Sequence, residues 1–197
     1  MNPSLRTVIF LFCFSWLQSN LQAQRFQAGI SAGLNLSPLD GADLSGFNKP
    51  GISAGPFVST VLSDRWQFSM ELLYSQLGSS KSLGDPASAA LDKIAIQAVE
   101  VPLLMRFREW KFLLAGGLSY FRLIDSKVID YTGLDVSDLV NLQDNHLALV
   151  LGSAVFLKEN WGLDIRWSKS LSNWQADPNA NRLISRNLTI KTFYLFK

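Results

Sequence analysis

The sequence predicts an all-β fold, an eight-stranded antiparallel up-and-down transmembrane β-barrel, on three observations. Apolar and polar residues alternate through eight stretches between Arg25 and the C-terminus. The gaps between them alternate between very short and long, and a short apolar leader precedes them all. Alternation with a period of two marks a strand with two unlike faces. Short turns at one end and long loops at the other are the habit of bacterial outer-membrane barrels.

The leader, Met1 to Ala23, carries one positive charge at Arg6, an apolar run from Thr7 to Leu17 and a polar stretch before Gln24. This is the layout of a secretory signal peptide cleaved after Ala23, leaving residues 24–197 as the barrel domain. The run is about half the roughly 20 apolar residues that a membrane-spanning helix needs. Cys13, the only cysteine, follows Phe12 inside that run, which argues against a lipoprotein site. The mature chain then has no disulfide and no thiolate chemistry. With Arg6 removed, the 18 Lys and Arg become 17 against 16 Asp and Glu, a balance that gives no reason to expect nucleic acid. No later apolar segment approaches membrane-helix length, so the chain enters a bilayer only as strands.

The expected strands are Arg25–Leu36, Pro50–Leu62, Trp66–Leu77, Ile94–Phe107, Lys111–Ile124, Asn145–Leu157, Trp161–Leu171 and Ser185–Phe196. Each reaches the roughly 9–11 residues of a tilted crossing strand. In the first, Phe26, Ala28, Ile30, Ala32, Leu34 and Leu36 fall on one face, with Gln27, Gly29, Ser31, Gly33 and Asn35 on the other. Later strands repeat the pattern with aromatics at their ends, such as Trp66 and Tyr74, Phe112 and Tyr120, and Trp161 and Trp167. That places two interfacial girdles around an apolar band. A soluble sandwich or lipocalin-like barrel would show the same alternation inverted, but here the opposite face is small and polar. The tight connections are Ser63–Arg65, Arg108–Trp110 and Lys158–Asn160; the long ones are Ser37–Lys49, Gly78–Lys93, Asp125–Asp144 and Ser172–Ile184. Glycines such as Gly29, Gly33, Gly55, Gly117 and Gly152 relieve crowding in a small lumen or permit coiling.

Several stretches resemble a known family. They are GISAGLNLS (Gly29–Ser37), KPGISAGPF (Lys49–Phe57), LSDRWQF (Leu62–Phe68), MELLYSQ (Met70–Gln76) and VEVPLL (Val99–Leu104). Together with the leader ending Ala23-Gln24, they are similar to the small outer-membrane β-barrels of Bacteroidetes called PorT-like. The resemblance implies a bacterial outer-membrane location and insertion by the barrel-assembly machinery. That machinery reads a C-terminal aromatic, and here Lys197 follows Phe196. One branch of the family is tied to secretion, so the resemblance also brings secretion-system proteins into view as partners.

Strand parity turns six charges inward: Glu71, Glu100, Arg106, Asp164, Arg166 and Lys191. They read either as a selective constriction or proton relay, or as a neutralised ion-pair cluster filling a barrel whose interior admits only side chains; the size of the barrel favours the second. His146 is the only histidine, with Ser153 and Glu159 too distant along the chain for a local triad, and it reads as a polar residue at a loop edge. With one histidine and no mature cysteine no metal set is expected, and no cofactor. Asp130, Asp135, Asp138 and Asp144 in the longest loop lack the EF-hand pattern. Arg122, Lys169 and Arg186 lie at the outer rim, where they meet lipopolysaccharide phosphates or snorkel into water. The reading is a monomeric, non-enzymatic barrel in contact with outer-membrane lipid and lipopolysaccharide, acting through its long loops or periplasmic partners. A secretion-accessory or narrow transport barrel is the alternative, with a lipid-modifying enzyme behind it.

Overall fold

The computed structural model of the protein describes residues 26–40, 49–81, 91–176 and 183–196. The leader and Lys197 lie outside them, as do the central parts of three of the long loops. The strands in chain order are β1 (Phe26–Leu36), β2 (Leu39–Asp40), β3 (Pro50–Val61), β4 (Trp66–Glu71), β5 (Leu73–Ser80), β6 (Leu91–Glu109), β7 (Phe112–Asp130), β8 (Asn145–Phe156), β9 (Trp161–Ser170) and β10 (Ile184–Leu195). β4 and β5 are two parts of one stave and β2 is a two-residue addition beside β10, so the wall has eight staves. Each pairs antiparallel with its neighbours in sequence, and β10 returns to β1 from Gly29↔Leu195 to Leu36↔Leu188. Closure pairs the edges of the wall, which is what lets a sheet lie in lipid.

The stave read as Trp66–Leu77 breaks at Leu72. Its partner there is Pro56: Leu72 N–H donates to the Pro56 carbonyl at 3.0 Å, and proline has no N–H to return the bond. The turn read as Arg108–Trp110 closes instead on Trp110 and Lys111, since Glu109 pairs with Phe112. Trp110 sits there at φ 54°, the left-handed region that few non-glycine residues adopt.

The largest departure is in β6 and β7. Read as Ile94–Phe107 and Lys111–Ile124, they run to 19 residues each and rise beyond the other staves at the long-loop end. At Ile124 the pairing slips, Ala98 facing Leu123 and Gln97 facing Asp125, which leaves Ile124 as a bulge. A one-residue slip turns every later side chain to the other face. Above it Val128 is buried and Asp125 and Lys127 are exposed.

Below the bulge the faces match the expected parity. Ile30, Leu34, Ile52, Leu72, Leu103, Leu114, Leu118, Leu151, Ile165 and Ile190 stand exposed in a band. Trp66, Phe112 and Trp161 border it on the short-turn side, and Tyr74, Tyr120 and Trp167 on the long-loop side. On the inner face Ser31, Asn35, Ser53, Ser69, Ser75, Ser119, Ser168 and Asn187 are buried. Among the described residues no helix is long and apolar enough to cross a membrane; the crossing elements are strands.

Candidate functional site

Inward side chains fill the lumen at three levels. Nearest the short turns, Phe57, Leu113, Ala154 and Phe193 form an apolar plug with Phe156 and Leu195 against it. Phe193 meets Phe57 and Phe156 edge-on, at 6.3 and 5.3 Å between ring centres, the geometry aromatic pairs prefer. Two glycines make the room. A Cβ on Gly29 would lie 2.6 Å from the Phe57 ring, and one on Gly162 would lie 2.2 Å from that of Phe193.

The middle level holds five of the six expected inward charges. Arg166 grips Glu71 with two parallel bonds, Nη1 to Oε2 at 2.9 Å and Nη2 to Oε1 at 2.6 Å. The same guanidinium holds Asp164, Nε to Oδ1 at 2.8 Å and Nη2 to Oδ2 at 2.7 Å. Arg106 Nη2 donates to Glu71 Oε1 at 2.8 Å and lies 3.6 Å from Asp164 Oδ2. Lys191 Nζ donates to Glu71 Oε2 at 3.1 Å. Glu71 therefore carries three cations, and all five residues are buried. The spacing follows from the strands: Asp164 and Arg166 stand two apart on one face of β9, and Lys191 is directly opposite Asp164. A Cβ on Gly152, opposite Arg166, would lie 2.9 Å from its stem, so the glycine leaves that side chain its path. The sixth charge, Glu100, stands apart from the cluster's direct contacts. Its two oxygens accept from Ser75 at 2.7 Å and Ser119 at 2.9 Å, and Ser53 lies 3.2 Å from Ser75. Bidentate, charge-assisted bonds of this kind can repay the desolvation of buried ions. Chemically, the cluster is a set of ion-paired groups, three cations on two carboxylates, in which the Arg106 Nε has no hydrogen-bond partner.

The outer level is apolar again. Leu77, Ile94, Ile96, Ala98, Phe121, Val128, Ala148, Trp174 and Leu183 pack together. Trp174 comes from the β9–β10 connection, tied by its N–H to the Leu183 carbonyl and by its own carbonyl to Gln143 N–H, both at 2.9 Å. His146 is not the polar residue at a loop edge that the sequence suggested. It is 1% exposed and stacks on Trp174 at 3.6 Å and 19°. Its Nε2 lies 2.6 Å from the Gln143 carbonyl oxygen and its Nδ1 3.3 Å from Ser172 Oγ. Strand order made this pair unreadable, because Ser172 is 26 residues away in sequence. The Ser172 hydroxyl already accepts the Leu147 N–H at 3.2 Å and the ring is covered by Trp174, so the arrangement is an anchor for the loop.

The loop carboxylates also serve local structure. Asp130 Oδ1 accepts from Thr132 N–H, Thr132 hydroxyl and Leu134 N–H, and these bonds, the Thr132 hydroxyl first, hold its carboxyl below the usual range. Asp135 is held low in the same way by Ser137. Asp144 pairs with Arg122 at 3.2 Å. No group of three or more His, Cys, Asp or Glu among the described residues is placed to hold a metal ion. Lys169 and Arg186 lie exposed and directly opposite each other at the rim.

Comparison with known proteins bears on the whole chain. A family model described as outer membrane protein beta-barrel domain matches residues 15–175. The crystal structure of Ail, the attachment invasion locus protein of Yersinia pestis, superposes with a TM-score of 0.53 at 14% identity, covering 86% of this chain and 98% of that one. Neisserial surface protein A superposes at 0.50 and 15% identity, covering 87% and 97%. At such identities the likeness carries the fold. None of the curated proteins matches the sequence.

Proposed function

Since the chain belongs to the outer membrane protein β-barrel domain family and lies in the bacterial outer membrane, we propose that it is a non-enzymatic barrel that acts through its surfaces rather than through its lumen. The observation that supports this reading is the three-level filling: an apolar plug, a buried ion cluster and an apolar outer cap stand one above another along the lumen. Eight staves leave an interior only wide enough for side chains, and here side chains occupy it. In this reading the six inward charges, Glu71, Glu100, Arg106, Asp164, Arg166 and Lys191, are structural, and the working parts are the long loops outside and the short turns facing the periplasm.

The narrower assignment to the PorT-like family, with insertion by the barrel-assembly machinery, rests on the resemblance of the stretches between Gly29 and Leu104, and the monomeric state is part of the same proposal. The experiment is single-channel recording of the purified barrel in planar bilayers, beside Trp174→Ala. The expected result is no steady conductance from the wild-type barrel. A stable open level from the wild type would sink the reading and favour transport.

A further inference from the structure

At the long-loop end the wall carries two lysines, Lys49 and Lys93, that form no ion pair among the described residues. Among the described residues β3 and β5 pair at Ser53↔Ser75 and Ala54↔Tyr74, and above that level a cavity of about 120 Å³ opens between them and β6. Lys49, Gln76 and Gln97 line it, with Gly51 and Ala95 adding little bulk. The Lys49 ammonium is half-buried and lies 3.5 Å from the Ile94 carbonyl oxygen. Gly78 keeps that approach open: a Cβ there would stand 2.1 Å from the same oxygen.

Lys93, the residue before Ile94, brings a second positive charge to the same place. Burial first, and then the charge of Lys93, pull the Lys49 pKa below its ordinary value. Among the described residues neither lysine forms an ion pair, and the nearby Asp125 is engaged by the Gln97 amide at 3.2 Å. Like charges on neighbouring lysines repel, and holding Lys49 half-buried against the Ile94 carbonyl adds a desolvation penalty. An anion between them would remove both costs.

Position selects the anion. The site lies above the outer girdle: from Tyr74 to Ser80, which pairs with Lys93, a tilted strand climbs on the order of 15 Å. That height is the saccharide layer of the outer leaflet. We propose that Lys49 and Lys93 form an anion site for a phosphate group borne on the saccharide headgroup of an outer-leaflet glycolipid. The site depends on the outer-membrane setting and is independent of how the loops act.

The test reconstitutes the full barrel in vesicles of phospholipid with a glycolipid whose core oligosaccharide, above its acylated sugars, is phosphorylated. The glycolipid retained per barrel after mild detergent extraction is then counted by native mass spectrometry. Lys49→Gln and Lys93→Gln should each lower retention about fivefold, and the double variant more. Wild type given the dephosphorylated glycolipid should lose as much. Both positions are at the surface, and a heat-dependent gel mobility shift verifies that each variant is folded. Retention unchanged by millimolar inorganic phosphate supports the lipid-borne group, whereas displacement by it overturns the lipid assignment in favour of a free anion. Equal retention by wild type and double variant overturns the site.

Discussion

The lower and upper parts of β6 and β7 are one pair of strands in two solvents. Below the bulge at Ile124, Leu103, Leu114 and Leu118 face outward and Glu100, Arg106 and Ser119 face inward. Above it, Gln97, Asp125 and Lys127 face outward while Ile94, Ile96 and Val128 are buried. The backbone pairing continues across the change, so the sign of the pattern is set by what surrounds the wall: lipid below, water above. The difference teaches that alternation identifies a strand, and that only its phase identifies the medium.

That contrast can be broken at its polar centre first. Glu71→Ala would leave Arg106, Arg166 and Lys191 buried around no carboxylate but Asp164, and should destabilise the barrel by roughly 3–5 kcal/mol, read as urea unfolding in detergent or lipid. A midpoint near wild type would mean that water or anions already neutralise the cluster. Trp174→Ala removes the largest fully buried side chain of the cap and should destabilise by about 3 kcal/mol; hydrogen exchange should show the loss confined to the β7–β8 and β9–β10 connections. Leu118→Arg, on the lipid face a little off the midplane, should destabilise by about 2 kcal/mol. Lys127→Leu makes the opposite exchange on the same strand above the bulge. It removes only an exposed ion pair with Asp135 at 3.7 Å, and should change stability by less than about 0.5 kcal/mol. If these two substitutions shifted the unfolding midpoint equally, the placement of the water boundary at the bulge would fail.

The smallest effect concerns the Asp130 turn. Its carboxyl pKa is lower folded than unfolded, so its contribution is present above the ordinary aspartate range and fades as pH falls through the depressed value. The protection of the Thr132 and Leu134 amides relative to their intrinsic exchange rates should therefore hold at neutral pH and be lost only in strong acid; protection indifferent to acid would mean that the turn holds without the charge.

Much of this was legible in the chain. Alternation located the eight staves, and parity turned six charges inward, five of which meet in one cluster. The first residues of β6, Leu91–Lys93, and the last of β7, Asp125–Asp130, lay outside the expected strands, because an unpaired Ile124 is invisible until the partner strand is known and beyond it the polar residues of β7 face outward. The break at Leu72 needed the knowledge that Pro56 lies across from it. Trp174 and Ser172 sit in a loop without periodicity, so nothing local announced that they cover His146. The plug had a faint signal in Phe57 and Phe193, large residues on a face otherwise small and polar, each set beside a glycine.

The seam between the first and last strands has a consequence for biogenesis. β1 finds one of its two partners in β3 and the other in β10, so Gly29 waits for Leu195. Until the final strand emerges, two rows of backbone groups face a medium that offers them nothing, and contacts so distant in sequence form slowly. A chain shortened by its last strand would thus be stranded as an open sheet instead of becoming a smaller barrel, a substrate for periplasmic chaperones and proteases.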